Sequence, residues 1–274
     1  MNAERRPIVL VGCGKMGGAL LAGWIVEGVV ADRLRVVEPV VALAEAARRD
    51  HGVVVVAEPD AIEPGLDPEV VVFAVKPQIV PTALPPYRRF ARAGTLFLTI
   101  AAGKTIAGFE RVLGGGMAIA RAMPNTPAAI GRGISAVVAN RNVTAAQRAL
   151  CQDLLGAVGE VVWLDDEGLL DAVTAVSGGA PAYVALLVEV LARAGARAGL
   201  PGDVALRLAR AAVAGSGELI HRSPDPVETL RKNVTSPGGT TQQALAVLMA
   251  DDGLQPLFDR AIAAATRRGR ELAD

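Results

Sequence analysis

Histidine and cysteine are nearly absent: His51 and His221, Cys13 and Cys151 are the only ones in 274 residues. So few and so scattered, they exclude a disulfide framework and a cysteine-rich metal cluster. They also argue against a zinc site or a histidine-based triad, so no metal is expected. Aromatic residues make up only 3% of the chain against 51% apolar residues, so the core must be built mainly from Ala, Val and Leu. A chain of this size and composition can still bury a sizeable core. Net charge is lacking too: 28 basic residues balance 28 acidic ones, which leaves nothing to argue for a nucleic-acid or polyanion partner. The N-terminal stretch "MNAERRPIVLVGCGKMGGALLAGWIV" opens as a signal peptide would, with arginines before an apolar run. Lys15 and several glycines break that run, and Glu27 follows. No uninterrupted apolar stretch reaches the ~18 residues expected of a membrane span. The expectation is a cytoplasmic protein with no membrane partner.

What the chain does have, in its first part, is alternation. "PIVLVG", "LRVVE", "GVVVVA", "EVVVFAV" and "TLFLTI" are short β-branched runs separated by helical or polar segments, with helices expected at Met16–Glu27 and around Val41–Arg49. Apolar runs of this length suit strands buried on both faces of a parallel sheet. Their alternation with helices indicates βαβ units in a doubly wound sheet. "MAIARAM", "GISAVVA" and "EVVWL" extend the sheet toward its far edge, with a capping box at Thr144 and Gln147 between the last two. After about Asp165 strand signals stop. Helices are expected over Asp171–Ala198, Asp203–His221, Val227–Lys232, Thr240–Ala250 and Leu254–Ala273. Asp225, Pro226 and Glu228 read as an N-cap, first-turn proline and N3 glutamate. The domain boundary is therefore placed near Leu164, giving domains 1–164 and 165–274.

The sharpest local signal is "VLVGCGKMGGAL", which places Gly12-x-Gly14-x-x-Gly17 between the first strand and the first helix. In that context the first glycine allows a tight turn, the second lets a pyrophosphate approach the backbone, and the third lets helix and strand pack closely. The helix N-terminus then offers free N–H groups and a partial positive charge to the phosphates. Glu38 ends the second strand, where an acid normally accepts from the adenosine ribose and disfavours a 2′-phosphate. Arg33, Arg35, Arg48 and Arg49 lie nearby, and one of them reaching a phosphate is the opposing reading; a solvated strand end is the bland one. Lys76 in "FAVKPQ" and the segment "TIAAGK" follow the fourth and fifth strands, at the carboxyl edge where ligands of open sheets sit.

A second signal is "NVTSPGGTTQQAL", Asn233 to Leu245, which interrupts alanine-rich helix with a proline, two glycines and several hydroxyl residues. Taken alone, such a loop before a helix is more often a cap than an anion cradle.

Together, "GCGKMGGAL", "AVKPQ", "RAMPNTPAAIGRGISA" and "VTSPGGTT" resemble the pyrroline-5-carboxylate reductase family. "AVSGGAPAYV" (Ala175 to Val184) resembles the segment that opens the long helix of that family's C-terminal domain. The resemblance runs from about Ile8 to beyond Leu248. It implies a Rossmann-like domain followed by an all-α dimerisation domain, and hydride transfer from NADPH or NADH to the imine carbon of 1-pyrroline-5-carboxylate, giving L-proline. A protonated imine is already electrophilic, so positioning two rings and excluding water is the main demand on the protein. By the resemblance, Thr241 would hydrogen-bond the ring nitrogen. Ser236, Gly238, Gly239, Thr240 and Thr241 would bind substrate as the loop at a helix N-terminus, the free N–H groups of Gly238, Gly239 and Thr240 holding its carboxylate, with a capping box from Thr240 to Gln243, and Asn125 would line the nicotinamide side. The cofactor would lie against Gly12, Gly14, Lys15, Met16, Gly17, Glu38, Ala74, Val75, Lys76, Pro77, Ala101 and Ala102. Ser177 and Tyr183 are weaker candidates. The resemblance also implies a cleft between the two domains, completed across a dimer, and often a ring of five dimers.

The chain departs from the family in three places. Ser177-Gly178-Gly179-Ala180-Pro181-Ala182-Tyr183 stands where Ser-Gly-Ser-Gly-Pro-Ala-Tyr is usual, Glu38-Pro39 where a small polar or basic residue is frequent, and Pro59-Asp60 where many members carry asparagine. One rival reading, a β-hydroxyacid dehydrogenase, wants an acid/base lysine on the first long C-terminal helix, and residues 171–202 contain none. An imine reductase for uncharged imines would have no use for a carboxylate cradle. A non-catalytic dinucleotide sensor would leave "MPNTP" and "TSPGGTT" without a role.

Overall fold

The computed structural model describes residues 6–272; Arg5 of the N-terminal run and the expected helix end at Ala273 lie outside them. Two compact units emerge, one made of the chain up to Gly178 with the segment from Ala265 on, the other of Gly179–Ala264.

In the first unit, eight strands form one sheet: β1 (Ile8–Val11), β2 (Leu34–Val37), β3 (Val54–Val56), β4 (Val70–Phe73), β5 (Leu96–Thr99), β6 (Ala118–Met123), β7 (Gly133–Ala139) and β8 (Gly159–Trp163). Their order is β3-β2-β1-β4-β5-β6-β7-β8. All neighbours are parallel except β6 and β7. The first six thus follow the 3-2-1-4-5-6 order of a dinucleotide-binding fold. The apolar runs end up buried on both faces because alternate side chains feed two separate cores. Ile8, Leu10, Val70, Val72, Leu96 and Leu98 join one, while Val9, Val11, Val71, Phe73 and Phe97 join the other. Each fully buried Val, Leu or Phe contributes roughly 1.5–3 kcal/mol of transfer free energy. β7 reverses because its connection from β6, residues 124–132, is too short for a parallel crossover of a dozen or more residues. A 3₁₀ turn over Thr126–Ile130, ended by Gly131 at φ 68°, brings the chain back.

The helices of this unit are α1 (Lys15–Val26), α2 (Val41–His51), α3 (Val80–Ala83), α4 (Ile106–Leu113), α5 (Ala145–Gly156) and α6 (Leu170–Val173). The expected capping box is present at α5. The Thr144 hydroxyl accepts from the Gln147 N–H at 3.2 Å, and the Gln147 amide oxygen accepts from the Thr144 N–H at 2.9 Å.

The second unit is helical. It contains α7 (Ala180–Arg197), α8 (Gly202–Arg222), α9 (Val227–Asn233), α10 (Thr240–Leu248) and the first part of α11 (Leu254–Leu272). α7 and α8 form a hairpin that turns at Gly199 (φ 103°), and a side chain at Gly195 would press on Leu200 and Ala205. Tyr183 packs edge-on against Phe258, with ring centroids 6.4 Å apart. α7 has no buried residue, and Val184, Leu187 and Leu191, spaced to share one helix face, are exposed.

Two expectations of helix structure are corrected. The helix expected over Asp171–Ala198 is interrupted by a π turn at Thr174–Gly178, where the Ser177-Gly178-Gly179 run loosens the backbone. Asp225 does not cap α9: the N-cap is Pro226, with no side-chain cap, because Pro226 holds the extended conformation (ψ 140°) that the cap requires.

Candidate active site

The carboxyl ends of β1, β2, β3 and β4 surround a cleft of about 450 Å³. Gly12 leaves β1 with φ +89°, and its N–H donates to the Val37 carbonyl at 2.8 Å. A Cβ on Gly12 would approach Val75 Cγ1 to 2.8 Å and the Ala74 carbonyl oxygen to 2.9 Å, so only glycine fits. Gly17, one turn into α1, is tighter still: its Cβ would run into the Gly12 carbonyl oxygen. Gly14 is different. It is the N-cap of α1 and lines the cleft, yet no protein atom lies within 4 Å of where its Cβ would be. Its missing side chain therefore keeps the cleft open rather than serving the fold. No side chain caps α1 and no acid sits in its first turn, so the first N–H groups remain available to an anion.

Glu38 is only 5% exposed and still lines the cleft. One carboxylate oxygen accepts from the Cys13 N–H inside the glycine loop at 2.7 Å, and the other accepts from the Val40 N–H at 2.9 Å. Burial, helped by the charge of Glu38, pushes the Cys13 thiol up to about 11, so at neutral pH it stays protonated and poorly nucleophilic. Ala74, Val75 and Lys76 line the cleft from the β4 side. Lys15, Met16, Gly17, Pro77, Ala101 and Ala102 fall outside its lining. Met16 packs on the core, Pro77 begins the turn after β4, and Ala101 is buried with its N–H bonded to Thr99 Oγ1 at 3.2 Å. Sequence reasoning missed Val40, Leu43, Thr82 and Tyr87, which line the cleft from the start of α2, from α3 and from the segment after α3. They stand in stretches without a motif, and only the folded chain brings them to the cleft. Tyr87 is wholly buried and its hydroxyl has no partner, and burial raises its phenol above the ordinary range. A cleft that Gly14 keeps clear, with open helix N–H groups on one side and a ribose-facing acid on the other, fits a dinucleotide.

Asn125 and Ser177 meet at the end of β6. The Asn125 side chain accepts from the Ile134 N–H at 3.0 Å and donates to the Ser177 carbonyl at 3.4 Å, tying β7 to the π turn. The Ser177 hydroxyl is buried without a partner. π turns recur at functional sites, and an unpaired buried hydroxyl costs stability. Ser177→Ala should therefore leave stability unchanged or raise it by up to about 1 kcal/mol while slowing turnover, read by thermal melting and steady-state kinetics. A clear loss of stability would show that the hydroxyl serves the fold.

In the second unit, the Ser236–Thr241 loop leads into α10. Gly238 adopts φ +73° and donates its N–H to the Gln242 side-chain oxygen at 2.6 Å, while the Gly239 N–H donates to the Ser236 carbonyl at 3.0 Å. Gly239 is the N-cap with no side-chain cap, so the expected Thr240–Gln243 box does not form. Gln242 reaches back in its place, since Gly238 can take the left-handed turn that brings its N–H within reach. Of the Gly238, Gly239 and Thr240 N–H groups expected to be free for the carboxylate, the first two are thus engaged within the loop. Thr240, Thr241 and Gln242 begin the helix and present first-turn N–H groups, with Thr240 and Thr241 exposed.

Fold and cleft together define an NAD(P)-dependent oxidoreductase. Residues 7–103 match a family model described as NADP oxidoreductase, coenzyme F420-dependent, and residues 167–272 match one described as pyrroline-5-carboxylate reductase dimerisation. The chain is 38% identical to the pyrroline-5-carboxylate reductase of Pseudomonas aeruginosa, over 97% of both chains. It is 40% identical to that of Synechocystis, over 96% of this chain and 97% of the other. Among solved structures, the pyrroline-5-carboxylate reductase of Coxiella burnetii superposes with a TM-score of 0.91 at 32% identity, covering 98% of this chain and 99% of that one. The Plasmodium falciparum pyrroline carboxylate reductase, solved with NADP bound, superposes with a TM-score of 0.80 at 27% identity, covering 100% of both. The chain belongs to the pyrroline-5-carboxylate reductase family. One helical stretch among the described residues, Glu167–Arg197, is long and apolar enough by length and composition to cross a membrane, although charged residues interrupt it. It lies within the segment that matches the dimerisation model.

Proposed function

We propose that this chain reduces 1-pyrroline-5-carboxylate to L-proline with NAD(P)H, as a cytoplasmic enzyme that completes proline synthesis. The observation that carries the proposal is the open N-terminus of α10, where first-turn N–H groups and the helix dipole suit one small carboxylate. Thr240 and Thr241 add hydroxyls at the same place. When bound in the cleft of the first unit, the reduced nicotinamide supplies the hydride for the imine carbon. The Thr241 hydroxyl holds the ring nitrogen, and Ser236, Gly238 and Gly239 shape the carboxylate loop through their backbone. Asn125 keeps the π turn in place through its bond to the Ser177 carbonyl. Residues 165–274 serve as the substrate-binding and dimerisation domain and residues 1–164 as the dinucleotide domain, with dimers able to assemble further into a decamer.

Absorbance of NADH and NADPH, followed with pyrroline-5-carboxylate for wild type and Thr241→Ala, tests this. Wild type should consume cofactor only when the imine is present. The variant should lose at least ~10-fold in kcat/KM, about 1.4 kcal/mol of transition-state stabilisation. Equal turnover in the variant would remove Thr241 from the site, and no turnover by folded wild type would remove the substrate assignment.

A further inference from the structure

We infer that Glu38 makes this chain select NADH over NADPH. The inference rests on the cleft holding the dinucleotide and is independent of which imine is reduced. A carboxylate offers about four lone-pair positions. Two are filled by the Cys13 and Val40 N–H groups, one on each oxygen, which locks the carboxylate at the end of β2. One position on each oxygen is left, matching the two hydroxyl donors of an unmodified adenosine ribose. A 2′-phosphate has the wrong sign and takes away a donor. Brought beside a buried carboxylate, it meets like charge where solvent screens little.

Among the described residues that line the cleft, none on the Glu38 side is basic. Each of the four arginines near β2 in sequence is committed elsewhere. Arg33 bonds the Arg6 carbonyl and Glu69, Arg35 bonds Glu63, Arg48 bonds the Val55 carbonyl at 2.6 Å, and Arg49 pairs with Asp50. Arg89, after α3, is held by the Pro59 carbonyl at 2.6 Å, with Asp60 at 4.0 Å. Among the described residues, Lys76 is the only basic one lining the cleft. It follows β4, on the other side of β1 from Glu38, so the glycine loop separates the two. The β3 edge adds a second acid, Glu58. Selectivity therefore comes from both an attractive and a repulsive element at one residue.

Calorimetric titration of the wild-type protein with NAD+ and with NADP+, and with ADP against adenosine 2′,5′-bisphosphate, reads this without any turnover. NAD+ should bind at least ~10-fold more tightly than NADP+, and the two adenosine ligands should rank the same way. Glu38→Ser should shrink the ratio at least ~10-fold. Because Glu38 also braces the glycine loop, Val40→Arg provides an independent arm. It keeps the backbone N–H that Glu38 accepts and brings a cation beside the ribose position, so it should raise NADP+ affinity relative to NAD+ at least ~10-fold. Wild type binding NADP+ as well as NAD+ would overturn the inference, as would an unchanged ratio in folded Glu38→Ser. A strong NAD+ preference in a protein that fails to reduce pyrroline-5-carboxylate would leave the inference standing and remove only the substrate. Failure to bind either dinucleotide would overturn both the cleft assignment and the inference.

Discussion

Gly17→Ala should weaken dinucleotide binding at least ~10-fold and lower stability, although alanine is the better helix former by about 1 kcal/mol. The sign follows from where the new methyl goes. It would meet the Gly12 carbonyl oxygen, with the Gly12 carbonyl carbon at 3.1 Å and Ala74 Cβ at 3.2 Å. Gly12 has little room to retreat, because its N–H is bonded to Val37 and the space where its Cβ would stand is closed by Val75 and Ala74. Either α1 lifts from the sheet or the glycine loop distorts, and overpacking of this kind costs about 1–3 kcal/mol. Thermal melting and calorimetry with NAD+ measure the two consequences. Gly14→Ala is the paired control. It meets no protein atom, so its melting temperature should match wild type while its cofactor affinity falls, the added methyl occupying space in the cleft. Equal NAD+ affinity in Gly17→Ala would show that the close helix–strand approach is not what shapes the phosphate site.

The parts of this protein that could be read from its sequence are those whose partners lie close along the chain or repeat with a fixed period. All eight strands were legible because each is a compact, mostly apolar run between turn or helix signals, and the glycine loop because strand, turn and helix are contiguous. The Thr144–Gln147 box was legible for the same reason. Thr240–Gln243 shows the limit of such spacing rules: Gly239 takes the cap and Gln242 reaches back to Gly238, a choice made by the left-handed backbone at Gly238. The reversal of β7 was hidden in the length of a connection rather than in its composition. Glu38 was legible as an acid at a strand end, but its bond to the Cys13 N–H depends on how two loops are juxtaposed across the sheet. Tyr87 and Leu43 reach the cleft from stretches with no local motif, so nothing short of the fold identifies them.

Trp24→Ala should cost about 3–5 kcal/mol, the range for deleting a large aromatic from a packed core. Trp24 is 0% exposed and sits among the largest buried side chains. Its indole N–H donates to the Leu154 carbonyl at 2.8 Å, in the last turn of α5, where carbonyls run out of intrahelical partners. One side chain thus fills the core and satisfies a helix end. Next to it, a Cβ on Gly23 would come within 2.6 Å of Val158 Cγ1 and 2.9 Å of the Ala157 carbonyl, so α1 lies directly on the turn between α5 and β8. A shift of α1 into the vacated space would break that contact, which is why the cavity should stay largely open. In a unit of this size each kcal/mol moves the melting temperature by about 2–4 °C, so a fall of roughly 6–20 °C is expected. Trp24→Phe keeps most of the buried surface and loses only the hydrogen bond, so it should cost roughly 1–2 kcal/mol. Phenylalanine proving as damaging as alanine would place the energy in the Leu154 bond rather than in packing. The folded Trp24→Ala protein should still bind NAD+ within about threefold of wild type. Trp24 lies ten residues beyond Gly14, about 15 Å along the helix at 1.5 Å per residue, at the end of α1 away from the phosphate site. The two substitutions then divide one helix by function: Gly17 shapes the end that receives the cofactor, and Trp24 anchors the other end in the core.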